Sequence, residues 1–254
     1  MLNLFYNSIT EVLMTDDDIL IKLKKLRDIV KLNLQDDNFR LNCVESVIDT
    51  LDDWTNPEKD WNSPAIFYHE KLKYSVRIIF WPAFIDNNPH EHKTWSVTGV
   101  LHNQLDINTY EMLENPKRLK KLRTISAKTG EVGYLAPGCI HNVCNTSHEL
   151  SASLHIFNNI SSIDKPEENA IWYPSPRKHN LINGSAERAL LSCLSIASLI
   201  RNQKSLGLIE RIYSHLPLSL KLNAVSSMYL FDPSYARHRF DQWEGLLYDN
   251  YSPF

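Results

Sequence analysis

The spacing of apolar positions divides the chain into three textures. Up to about residue 60, apolar residues recur every three or four positions: Ile19, Leu20, Leu23, Leu26, Ile29 and Val30 form one stripe, with lysines on the other side. That period predicts an amphipathic helix, and Thr15 followed by Asp16, Asp17 and Asp18 predicts its N-cap and acidic first turn. A second helix is expected from about Arg40 to Leu51, with Leu41, Val44, Val47, Ile48 and Leu51 facing inward. Asn56-Pro57 ends this region.

From about Ala65 to Trp172 the pattern changes to short runs of β-branched and aromatic residues, such as Tyr74–Trp81, Trp95–Leu101 and Ser151–Phe157. Turn residues separate them: Asn87-Asn88-Pro89, Gly130 and Pro137-Gly138. Short strands at this spacing predict an antiparallel sandwich or barrel. Gly99, Gly130, Gly133 and Gly138 fall in this stretch, where tight hairpins are expected to need them.

Beyond Pro174-Ser-Pro176 the helical period returns in Ala186–Ile200 and again around Leu208–His215, Leu218–Leu230 and Tyr235–Leu247. Leu190, Leu191, Leu194, Ile196, Leu199 and Ile200 make an apolar surface too broad for a lone solvent-exposed helix. It is expected to pack on the barrel, on neighbouring helices or on a second subunit, as a structural cap or as a lid. The expected organisation is therefore a helical segment over 1–60, a barrel over 61–175 and a helical extension over 176–254.

Composition narrows the partners. A formal net charge of −3 gives no electrostatic reason to expect nucleic acid or an anionic membrane. Met1–Met14 is fairly apolar but has no basic segment and no small-residue cleavage site, and no apolar run is long enough to span a bilayer. A cytoplasmic location is expected. Cys43, Cys139, Cys144 and Cys193 have no spacing of a disulfide framework or zinc knuckle, so reduced thiols are expected.

The segment Pro89-His-Glu-His-Lys-Thr-Trp95 carries the clearest chemistry. On a strand, residues two apart share a face, so His90 and His92 project side by side with Glu91 opposite. Two imidazoles supply two of the three facial positions of a mononuclear metal site. Pro137-Gly-Cys-Ile-His141 offers the third, a histidine placed just past a tight turn as it enters a distant strand. Cys139 and Cys144 flank it, but Cys144 is expected to face away and Cys139 to lie in the turn. His69, His102, His148, His179, His215 and His238 lack such context and are expected to be structural or surface residues.

These two segments resemble the two motifs of the cupin superfamily, a small double-stranded β-helix (jelly-roll) barrel. Within it the chain looks most like the thiol dioxygenases, cysteine dioxygenase and the enzymes acting on 3-mercaptopropionate. The likeness covers roughly residues 15–160. It rests on Pro89 through Leu101, on Gly133 through Asn145 and on Ser153-Leu-His155-Ile-Phe157. The resemblance implies a mainly β fold, a barrel with leading helices and an appended C-terminal helical region. It also implies an iron(II)-dependent oxygenase whose partners are O2 and a small-molecule substrate.

Many cupins carry a glutamate four or five residues after the second histidine; here Ser96 and Val97 stand there. Thiol dioxygenases share this absence and use three neutral histidines, which leaves up to three open positions on a fully dipositive ion. Ser153, His155 and position 157 match the family's Ser-His-Tyr relay, but Phe157 has no hydroxyl. Val97 replaces a cysteine that in some relatives cross-links to the tyrosine. Aligning Tyr68 with the family's aromatic residue puts Glu70 where an arginine pairs with the substrate carboxylate. Glu70 would favour a cationic amine, or is a solvated surface acid; alternatively Arg77 or Arg177 binds a carboxylate from another direction. Three functions follow from this reading: an oxygenase acting on a small thiol or related amino-acid-like metabolite, a cupin oxygenase or oxidase acting on an amine-containing metabolite, and a non-catalytic metal-binding cupin.

Overall fold

The computed structural model describes residues 1–50, 61, 63–114, 118–158, 170–173 and 186–251. The boundaries expected at 60/61 and 175/176, together with Leu51, Asn56-Pro57, Arg177 and His179, adjoin or lie outside the described residues.

Three helices come first: α1 (Leu2–Met14), α2 (Ile19–Leu34) and α3 (Asp37–Asp49). Asp18, not Thr15, caps α2, its carboxylate accepting the Leu20 N–H at 2.8 Å. Thr15 instead closes α1, donating its hydroxyl to the Val12 carbonyl at 2.9 Å. A cap must sit immediately before the first helical residue, and only the last aspartate of the run does. Likewise Asp36 accepts the Asn38 N–H and starts α3 at Asp37, ahead of the expected Arg40.

The stripe of α2 buries Leu23, Leu26, Val30 and Leu34, each stabilising the fold by about 1.5–3 kcal/mol. Ile19 and Leu20, expected on that stripe, are exposed, because α2 packs on the sheet only beyond its first turn.

Ten strands follow: β1 (Ala65–His69), β2 (Tyr74–Trp81), β3 (His90–His92), β4 (Ser96–His102), β5 (Gln104–Leu113), β6 (Arg118–Lys128), β7 (Val132–Leu135), β8 (Ile140–Cys144), β9 (Ser151–Asn158) and β10 (Ala170–Trp172). They form two antiparallel five-stranded sheets, β1-β2-β9-β4-β7 and β10-β3-β8-β5-β6. The chain steps from one sheet to the other between β2 and β3 and back between β3 and β4. This is the double-stranded β-helix, or jelly roll, with helical parts added.

Side-chain alternation in the first sheet explains where the core sits. Tyr74, Val76, Ile78 and Phe80 of β2, Val97 and Leu101 of β4, and Ala152, Leu154 and Ile156 of β9 share one apolar core with the helices. The alternate residues turn into the barrel: Ser75, Arg77, Ile79 and Trp81; Ser96, Thr98 and Val100; Ser153, His155 and Phe157. One end of the barrel is filled by Trp81, Val100, Leu105 and Val143. The other end carries polar side chains, among them Ser75, Ser96 and His155, together with Phe157.

Gly99 sits in mid-strand, contrary to the hairpin expectation. A Cβ there would lie 2.3 Å from Leu34 Cδ1 and 3.0 Å from Val30 Cγ1, so the glycine lets α2 settle onto β4. Gly133 is also in mid-strand, on β7. Gly130 and Gly138, at φ +85° and +81°, are the glycines that turns require.

The C-terminal region forms α4 (Ala186–Ile200), α5 (Gln203–His215), a single 3-10 turn at Leu218–Leu220, α6 (Lys221–Tyr229) and α7 (Pro233–Tyr251). Of the surfaces expected to receive α4, a neighbouring helix takes it: α4 and α5 pack against α3. Lys204 pairs with Glu45 at 2.7 Å and Arg211 with Asp49 at 2.5 Å across this junction. No helix among the described residues is long and apolar enough to cross a membrane.

Candidate metal centre

His90, His92 and His141 converge. Their ligand nitrogens all lie within 4.8 Å of one another, and among the described residues no cysteine, aspartate or glutamate joins them. The local sequence explains the placement. His90 and His92 share a face of β3, with ring centroids 5.0 Å apart. His141 is distant in sequence but is the direct cross-strand partner of His90 on β8, with rings 4.4 Å apart. The turn ahead of β8 is closed by the Cys139 N–H donating to the Ala136 carbonyl at 3.3 Å. The Gly138 N–H reaches the His92 carbonyl at 3.4 Å, which fastens that turn to the strand carrying the other two rings.

Backbone carbonyls orient two of the imidazoles. His90 Nδ1 lies 3.0 Å from the Asn88 carbonyl and His141 Nδ1 lies 3.0 Å from the Cys139 carbonyl. A carbonyl only accepts, so each Nδ1 carries a proton, and Nε2 is the ligating nitrogen when the ring is neutral. Burial, reinforced by neighbouring His141, pushes the His92 imidazole down to about 3. Burial also lowers His141, against the opposing effect of the Cys139 carbonyl. Three imidazole nitrogens within 4.8 Å of one another fit a divalent first-row metal ion, and several such ions suit that donor set.

Neighbours hold the rings. Trp172, in register with His90, stacks on it at 4.2 Å and 27°. Glu91 faces the other way, as expected, and accepts the Tyr173 hydroxyl at 2.7 Å, which pins β10 over β3. Cys144 points away from the cluster and donates its thiol to Asp86 at 3.0 Å.

The wall facing the histidines comes from the first sheet. Two rows run across it in register: Tyr68, Ser75, Phe157, Ser96 and Leu135; then Arg77, His155, Thr98 and Gly133. Phe157 stacks on His155 at 5.1 Å and lies 5.3 Å from His92. Trp81 Nε1–H donates to Ser153 Oγ at 2.7 Å, Ser153 Oγ lies 2.7 Å from His155 Nε2, and Thr98 Oγ1 lies 2.9 Å from His155 Nδ1. Burial, then His92 and His141, pushes His155 down to about 3. The hydroxyls of Ser75 and Ser96, on either side of Phe157, are buried and have no hydrogen-bond partner among the described residues.

Several expected positions change meaning. Glu70 is exposed in the turn after β1, beyond the last paired residue His69, and is a solvated surface acid. Arg77 does face inward, and it donates to the Ser63 carbonyl at 2.7 Å. Val97 faces the helices, because alternation on β4 gives the place beside Phe157 to Ser96. Sequence reasoning passed over Trp81, Thr98, Trp172, Ser75 and Ser96. Alternating small polar residues in β2 and β4 were the available signal for three of these; nothing marked Trp172.

No family model matches the chain, and no curated protein matches it in sequence. Among solved structures, an oxalate oxidase in complex with the substrate analogue glycolate superposes with a TM-score of 0.32 at 18% identity, covering 41% of this chain and 47% of that one. A cupin superfamily protein from Desulfitobacterium hafniense gives 0.30 at 12%, covering 38% and 74%. A cupin-2 domain containing protein from Shewanella frigidimarina gives 0.30 at 18%, covering 40% and 83%. The chain thus spans about half the length of the oxalate oxidase it matches. At these scores the likeness assigns neither metal nor activity, and the centre stands on its own geometry.

Proposed function

We propose that this protein is a mononuclear non-heme iron(II), O2-dependent oxygenase, similar to thiol dioxygenases, acting on a small thiol or a related amino-acid-like metabolite. The observation that carries the reading is a cluster of three imidazoles, two buried and one half-buried, with no carboxylate joining it among the described residues, opposite a hydrogen-bonded histidine relay. His90, His92 and His141 would hold the ion, with the Asn88 and Cys139 carbonyls fixing two of the rings. Iron(II), when bound, supplies the redox chemistry that couples O2 to substrate oxidation. Phe157 and Trp172 shield the rings from water, and Ser153 with Thr98 holds His155 in one orientation. Thr98 gives His155 the second partner that Phe157 lacks the hydroxyl to provide. With Glu70 exposed in its turn, the case for an amine-containing substrate has no support from this site.

The test is O2 consumption by anaerobically purified, iron(II)-loaded protein offered cysteine or 3-mercaptopropionate. The expected result is thiol-dependent O2 uptake with formation of the sulfinate, abolished by His141→Ala. Uptake no greater than in enzyme-free buffer with both thiols would overturn the reading.

A further inference from the structure

Donor and acceptor accounting along the relay fixes its direction. Trp81 Nε1 can only donate, so Ser153 Oγ accepts from it. Ser153 is fully buried, and among the described residues its one hydrogen has a single acceptor in reach, His155 Nε2. If Nε2 carried the ring proton instead, the Ser153 hydrogen would be buried without an acceptor, at a free-energy cost of desolvation. So Ser153 donates to Nε2, and the ring proton sits on Nδ1. That proton goes to Thr98 Oγ1 at 2.9 Å. Thr98 has then accepted, and its own hydrogen is unused among the described residues.

Two further features single out that hydroxyl. Thr98 is the partly exposed member of a chain whose other members are buried. Its cross-strand partner is Gly133, whose added Cβ would point to the same inward side and meet nothing within 4 Å. Gly133 is exposed on the edge strand, so the surface beside Thr98 is open, on the sheet that also carries Phe157.

We infer that Thr98 is a substrate-contacting residue: its hydroxyl, the terminus of the Trp81-Ser153-His155 chain, donates to an acceptor oxygen of a substrate that approaches over the open surface at Gly133. This rests on the oxygenase reading for the substrate's identity, but the direction of the chain does not. Each donor in the chain is itself polarised by the one before it, which strengthens the final hydrogen bond.

Two measurements test it separately. In metal-free protein, long-range proton–nitrogen NMR of the histidines should show His155 neutral with the proton on Nδ1; a proton on Nε2 would overturn the chain's direction and the inference with it. In iron(II)-loaded protein without O2, calorimetry should show 3-mercaptopropionate binding more tightly than 1-propanethiol, which lacks the oxygens. Thr98→Val should cut that preference about tenfold with iron content unchanged, and Thr98→Ser should restore it. Gly133→Val should weaken binding of both ligands by placing an isopropyl group in the open space beside Thr98. An unchanged preference in Thr98→Val would sink the inference. If the tautomer and the preference are as expected while no thiol supports O2 uptake, the contact stands and the oxygenase reading falls.

Discussion

Acidification should unfold the metal-free protein through its buried histidines. His92 and His155 are both held down to about 3, with burial the larger cause in each. In the unfolded chain each returns to about 6.5 and takes up a proton that the folded protein excludes. Stability is thus complete above the unfolded value and falls as pH drops from about 6.5 toward about 3. Between pH 7 and pH 5 each histidine removes about 2 kcal/mol, so the pair removes about 4 kcal/mol. His141 and His102 are lowered by burial as well and push in the same direction. Against a typical total of about 5–15 kcal/mol, that loss is large. Urea unfolding at pH 7, 6 and 5 measures it directly, in a window where ordinary carboxylates stay ionised. His155→Gln should make the loss about 2 kcal/mol smaller over the same interval. A change below about 1 kcal/mol, or a His155→Gln profile parallel to wild type, would refute the reasoning.

Other outcomes follow from packing and polar satisfaction. Gly99→Ala should destabilise by about 1–3 kcal/mol in urea, since the new methyl meets Leu34 and Val30 in the α2–β4 contact; an unchanged midpoint would mean that α2 sits elsewhere. Ser96→Ala removes a buried hydroxyl with no partner among the described residues and should stabilise the ligand-free protein by about 1 kcal/mol, read as a rise in Tm; a fall would show that the hydroxyl has a partner. Arg211→Ala breaks a half-exposed pair with Asp49 and should cost under about 1 kcal/mol.

Much of this was legible in the chain because strand periodicity is rigid. His90-x-His92 and Ser153-x-His155-x-Phe157 could be assigned to shared faces from spacing alone, and Gly138 announced the turn before His141. Cross-strand neighbours were not legible, since register depends on pairings between segments far apart in sequence. That is why Thr98 went unnoticed beside His155, why Val97 was placed next to Phe157 instead of Ser96, and why Trp172 over His90 carried no warning. Gly99 misled for a related reason: its demand comes from a helix that packs on it from sixty-odd residues earlier, not from the local backbone.

The convergence of three imidazoles on one cation is tested most directly by metal stoichiometry. Protein loaded anaerobically with iron(II) and then desalted should retain about one metal ion per chain, and a variant carrying both His90→Ala and His141→Ala should retain none. A wild-type protein that holds no metal, or a double variant that holds as much as wild type, would contradict the account.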